Sequence, residues 1–131
     1  MEILIYLIEG CIGAGMLFIA VKFTILIESP IIISGGVTEN KKYIASINSN
    51  TNVIFNVVLV FISFYKWPVS SILWYIIAEF LLIPFSEILA YRAISKASVK
   101  QIIKITYCAN VLSFVAGSLF VFILIALLGL F

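Results

Sequence analysis

The chain has 131 residues, 64% of them apolar and only 11% charged, with a formal net charge of +2 and a mean hydropathy of +1.27. Soluble domains carry about 25% charged residues, so this balance excludes an ordinary soluble domain, and the length supports one domain, residues 1–131. The small positive excess does not point to nucleic acid, because all the basic residues except Lys22 fall in loops, where membrane topology places them.

Four apolar runs follow in chain order, each near the roughly 20 residues a helix needs to cross a bilayer. Helices are the default because every backbone group must be satisfied within its own segment. The first predicted helix covers about 3–34. It opens Met1-Glu2, without a basic stretch or a small-x-small cleavage site, and reads as a retained helix rather than a signal peptide. The run Ile3 to Ser34 makes about 48 Å of helix, longer than one perpendicular span. Either the helix ends near Ile27, interrupted by Gly10, Gly13 and Gly15 or bent at Pro30, or it tilts and continues to Ser34. Gly35-Gly36 is a stop signal in both cases. The second helix, about 43–65, carries no charge. The third, about 67–91, holds Glu79 and Glu87, and the fourth, about 105–131, is again free of charge.

The loops set an orientation. Lys41 and Lys42 precede the second helix, and Arg92, Lys96, Lys100 and Lys104 lie between the third and fourth. Lys66 stands by itself between the second and third. The four apolar runs predict an all-α integral membrane four-helix bundle, and the positive-inside rule puts both of its termini outside; a prokaryotic cytoplasmic membrane is taken as its location. Ser95, Lys96, Lys100 and Lys104 suit an interfacial helix end attracted to anionic lipid.

Spacings of three, four and seven share one face of a helix. The second helix carries Asn48, Asn52, Asn56 and Ser63 on one stripe; the fourth carries Thr106, Asn110, Ser113 and Gly117. The third carries Tyr75, Glu79, Ser86 and Ala90 close together, with Glu87 about 80° away around the helix. Such stripes serve as helix–helix glue or as the lining of a functional interior. Depth brings Lys22, Glu28, Asn48, Asn52, Glu87 and Asn110 to a similar level near the cytoplasmic side, with Ser113 one turn further in. Lys22 either neutralises Glu87 or Glu28 in such a cluster or snorkels to the headgroups. Glu79 lies about 12 Å along its helix from Glu87, with Glu9 as a candidate neighbour. Two carboxyls in low dielectric cannot both ionise cheaply, so one of them holds a proton. Glu79 is then a relay or cation group, or a protonated acid donating to a carbonyl, such as that of Phe80, which Pro84 leaves free.

Small residues recur every four positions at Ala109, Ser113 and Gly117, at Gly10 and Ala14, and at Cys11 and Gly15. They allow close helix approach, within the chain or in a homo-oligomer. Cys11 and Cys108 fall in opposite halves of the span, beyond bridging distance. The chain has no His and no Asp. That removes imidazole ligation, His-bearing zinc motifs and Ser–His catalysis, as well as paired-aspartate proteolysis. The spacing Gly10-Cys11-Ile12-Gly13-Ala14-Gly15 is not a nucleotide-binding motif. No metal and no cofactor are expected.

Glu28-Ser29-Pro30, Asn48 with Asn52, Glu79 with Glu87-Ile88-Leu89-Ala90-Tyr91, and Asn110-Val111-Leu112-Ser113 with Gly117 together resemble a pattern of small, poorly characterised prokaryotic four-helix membrane proteins. No proline follows the Asn-Thr stretch of the second helix, where that pattern has one. The resemblance implies an intramembrane Glu28 and a first helix reaching Ser34; it carries no activity. In outline the chain is also similar to the small multidrug-resistance exporters, which would make Glu9 a coupling residue. Here Glu79 and Pro84 stand where those exporters have a Gly-rich crossing and a Trp.

The leading expectation is a non-enzymatic membrane subunit or scaffold, with the lipid bilayer and a partner membrane protein or a second copy as its partners. The alternatives are a proton- or cation-coupled transporter or channel subunit using Glu79 and Glu87, and an intramembrane enzyme using a Glu base.

Overall fold

The computed structural model describes residues 2–64 and 68–127; the side chains of residues 2–14, 16, 17, 59–64, 68–72, 121, 124 and 125 lie outside that description. The architecture is all-α. Helix α1 spans Glu2–Ser34, α2 Lys41–Phe64, α3 Pro68–Ile77, α4 Ile83–Ile94 and α5 Val99–Leu127. A π-helical turn, Ala78–Leu82, joins α3 to α4, so the described elements form four rods. Leu73–Ile94 and Val99–Phe120 are each long and apolar enough to cross a membrane.

Rod α1 packs on α2 and α5, and the α3–α4 rod packs on the same two. The cross-section is therefore a square, with α1 and α4 on one diagonal and α2 and α5 on the other. Large apolar side chains, among them Phe18, Leu26, Leu73, Phe85, Leu119 and Phe122, point outward and are exposed.

Local signals explain the ends. α1 runs unbroken through Pro30 to Ser34. It stops because Gly36 adopts φ +69°, a conformation that costs a residue with a Cβ about 1–2 kcal/mol. The Val37 amide then donates to Ile32 O (3.1 Å) and the Gly36 amide to Ile33 O (2.9 Å), while Val37 and Ile32 are both buried. This is the Schellman arrangement. Asn40 caps α2, its Oδ1 accepting from the Lys42 and Tyr43 amides at 3.0 and 3.3 Å. α5 starts at Val99, one and a half turns before the expected 105, because Ser98 Oγ accepts from the Gln101 amide at 3.2 Å. Gln101 in turn reaches across to donate to Gly35 O at 2.7 Å. Ser95 Oγ donates to Val37 O, so both connections at this end of the bundle are stitched together.

The π turn has its cause one residue later. Pro84 lacks an amide proton, and its ring would collide with the carbonyl one turn back. Widening the preceding turn, with the Ile83 amide reaching Ala78 O, relieves that collision without breaking the rod. The spacing of the third helix did not reveal this turn, although Pro84 marks its place.

The stitched end holds an apolar plug of Ile32, Val37, Ile44, Ile88, Tyr91, Ile102 and Ala109. Further along, aromatic pairs join the rods: Phe23 stacks on Phe120 at 5.3 Å, Phe55 meets Trp74 at 6.1 Å, and Phe80 meets Phe114 edge-on at 5.0 Å.

Candidate functional site

Between the plug and the aromatic pairs, all four rods turn a polar side chain inward. Glu28 on α1 and Glu87 on α4 are 1% and 0% exposed. They sit on diagonal rods, and each holds both rods that flank it. Asn48 Nδ2, from α2, donates to Glu28 Oε2 at 2.7 Å, and Ser113 Oγ, from α5, lies 2.6 Å from Glu28 Oε1. Asn110 Nδ2, from α5, donates to Glu87 Oε2 at 2.7 Å, and Thr51 Oγ1, from α2, lies 3.1 Å from Glu87 Oε1. The Tyr91 hydroxyl donates to Asn48 Oδ1 at 3.2 Å. The result is a closed ring, because Thr51 also contacts Asn48 O (3.2 Å) and Ser113 contacts Asn110 O (3.0 Å).

Each carboxyl meets one amide and one hydroxyl, and the hydroxyl has a competing partner. Ser113 has one proton to give and two acceptors, Glu28 Oε1 and Asn110 O. Thr51 likewise lies 3.0 Å from Ile47 O as well as beside Glu87. If the hydroxyl proton goes to the backbone, the carboxyl contact is a hydrogen bond only when the carboxyl supplies a proton itself. A neutral carboxylic acid fits both places: its carbonyl oxygen accepts from the Asn amide, and its O–H donates to Ser or Thr. No ion pair forms at the ring among the described residues, whose polar contacts are all to neutral groups.

The expected residues divide. Glu28, Asn48, Glu87, Asn110 and Ser113 come together in the ring. Asn52 is a neighbour but not a member: its amide turns back to Asn48 O at 2.9 Å, as that of Asn56 does to Asn52 O. Lys22 is not part of the cluster. It lies six residues from Glu28, about 120° around the helix at 3.6 residues per turn, and points outward. Its Nζ rests 5.3 Å from the centroid of the Phe18 ring, so neither Glu28 nor Glu87 is neutralised by it. Glu79 is half-buried on the π turn and makes no hydrogen bond among the described residues. It lines a cavity of about 10 Å³ with Phe55, Asn56, Trp74, Tyr75, Ala78 and Ile83, space for about one water. The side chains of Glu9 and Cys11 lie outside the description, and with them the expected nearness of Glu9 to Glu79; Cys108 is exposed and unbridged.

Thr51 and Tyr91 are ring members that a search for stripes of Asn and Glu passes over. Each lies one turn from a member, Thr51 three residues after Asn48 and Tyr91 four after Glu87. Thr106, one turn before Asn110, is fully buried, and its Oγ1 has no hydrogen-bond partner among the described residues. Among the described residues no group of three Cys, Asp or Glu is placed to hold a metal ion. Comparison with protein families, curated proteins and solved structures gives no match.

Proposed function

We propose that the chain is a membrane-spanning, non-enzymatic subunit whose bundle is locked by two neutral carboxylic acids and whose outer surface is free for partners. One observation carries this reading. Every carboxyl oxygen of Glu28 and Glu87 is matched by a neutral group of the chain's own flanking rods, at full burial. Groups used up in this way hold helices together; they are not poised to attack or ligate. The membrane assignment is supported by the two stretches of spanning length, by the outward apolar side chains and by the basic residues Lys41, Lys42, Arg92, Lys96, Lys100 and Lys104. The positive-inside rule puts these residues in the cytoplasm and both termini outside. A subunit is expected to leave its native membrane, in mild detergent, as a complex of fixed stoichiometry larger than its own 14.6 kDa. A stable monomer with no accompanying chain contradicts the proposal.

A second reading, a proton- or cation-coupled transporter subunit, is favoured by Glu79. Its carboxyl has no partner among the described residues, stands on a π turn of the kind often found at working sites, and borders a water-sized cavity. Liposomes decide between the two readings: a relay loses proton flux on Glu79→Gln with folding unchanged, whereas a subunit shows no flux to lose.

A further inference from the structure

The outer face of α1 carries a feature that lipid does not account for. Gly15, Phe18, Ile19, Lys22 and Leu26 recur at spacings of three and four, so they form one seam. Phe18, Ile19 and Leu26 are 63%, 60% and 71% exposed, and with Lys22 and Phe23 they line an open groove of about 290 Å³. The space in front of the Gly15 Cα is clear. An ammonium stands at the centre of this otherwise apolar seam.

Its depth follows from the ring. Glu28 and Asn48 are hydrogen-bonded and therefore level. Lys22 lies about 9 Å further along α1, level with roughly the middle of α2, Lys41–Phe64. The side chain runs toward the N-terminus of its helix, as helical side chains do, and ends over the Phe18 ring. It does not reach back to the basic end of the bundle, where headgroups would receive it. No carboxylate among the described residues reaches it. A lysine cation on a lipid-facing surface at mid-span is costly, and such groups are usually paired.

We infer that the Gly15–Leu26 seam of α1 is the docking face for a transmembrane helix of another protein that carries a carboxylate at mid-span, paired to Lys22. The partner's acid answers the charge. Its apolar side chains cover Phe18, Ile19 and Leu26, and its backbone approaches at Gly15, where no side chain intervenes. This inference rests on the subunit reading and names the chemistry of the partner.

The test uses the full chain in phosphatidylcholine vesicles, labelled at the exposed Cys108 in a Cys11→Ser background. The probes are synthetic Leu/Ala transmembrane peptides with one Glu, Gln or Lys at the midpoint, and the readout is energy transfer. The Glu peptide is expected to bind about tenfold more tightly than the Gln peptide, the ratio given by a modest desolvated charge pair. Lys22→Leu should abolish that preference, Lys22→Arg should keep it, and Lys22→Glu should transfer it to the Lys peptide. Equal binding of the Glu and Gln peptides overturns the inference and leaves lipid headgroups as the partner of Lys22. Preference that survives Lys22→Leu overturns it as well. Lys22-dependent energy transfer between two copies without peptide overturns it in favour of a homo-oligomer. Lys22→Arg and the peptide series keep the test decisive if Lys22→Leu fails to fold. A chain that keeps its native partner when Lys22 is changed sinks this face but not the subunit reading; a chain that purifies alone sinks the subunit reading whatever the peptides do.

Discussion

Glu87 and Glu79 stand on one continuous rod, two turns apart, in unlike surroundings. Glu87 is fully buried, and both of its oxygens are engaged by neighbouring rods. Glu79 is half-buried, without a partner among the described residues, and beside a small cavity on a π turn. The halves of the bundle around them differ in the same way. The Glu87 half is joined by a directional polar ring, an apolar plug and capped, stitched ends; the Glu79 half is joined by ring contacts such as Phe80–Phe114. In the membrane-spanning reading proposed above, apolar side chains gain little from leaving lipid for protein, so packing and hydrogen bonds set which helices pair. The ring supplies that specificity, because shifting any rod by one residue rotates its donor away.

The comparison breaks most sharply with Glu87→Leu. It removes two inter-rod bonds and leaves the Thr51 hydroxyl and the Asn110 amide only backbone contacts within their own helices, an expected loss of about 2–3 kcal/mol in reversible unfolding in detergent micelles. The next largest effect belongs to the stitched end. A Cβ on Gly35 would fall 2.6 Å from Ile105 Cγ2, so Gly35→Ala must push α1 and α5 apart at a cost of about 1–3 kcal/mol. Ser98→Ala removes the α5 cap and should cost about 1 kcal/mol, read in the same experiment as faster amide exchange confined to the first turn of α5. Glu79→Leu marks the other extreme: with no hydrogen bond to lose, it should change stability by about 0.5 kcal/mol or less. A loss as large as that of Glu87→Leu would mean that both halves are held alike.

Much of this contrast is legible in the sequence. The rods follow from apolar runs of spanning length, and the inward stripe of α5 follows from the four-residue spacing of Thr106 and Asn110. Three features are not legible, each for a physical reason. Thr51 resembles a lone surface hydroxyl until Glu87 is known to lie opposite, because pairing across rods depends on register, which spacing along one helix does not fix. Lys22 shares neither the depth nor the face of Glu28; six residues carry it about 9 Å along α1 and turn it about 120° away from the interior. The π turn depends on how the rod resolves the clash at Pro84, where a kink and a widened turn are both available. The early start of α5, by contrast, was present in Ser98-Val99-Lys100-Gln101, a capping-box spacing partly hidden by the basic residues around it.

The central claim is that Glu28 and Glu87 are buried, neutral acids, each bridging two rods. Infrared spectroscopy in an ester-free detergent at neutral pH tests it most directly, because a carboxylic C=O stretch is absent from an ionised carboxylate. The account predicts such bands in the native chain, slow to shift in deuterated water, with one component lost in Glu28→Gln and another in Glu87→Gln. A native spectrum without them, unchanged by either substitution, would show two ionised carboxylates in the bundle and contradict the account.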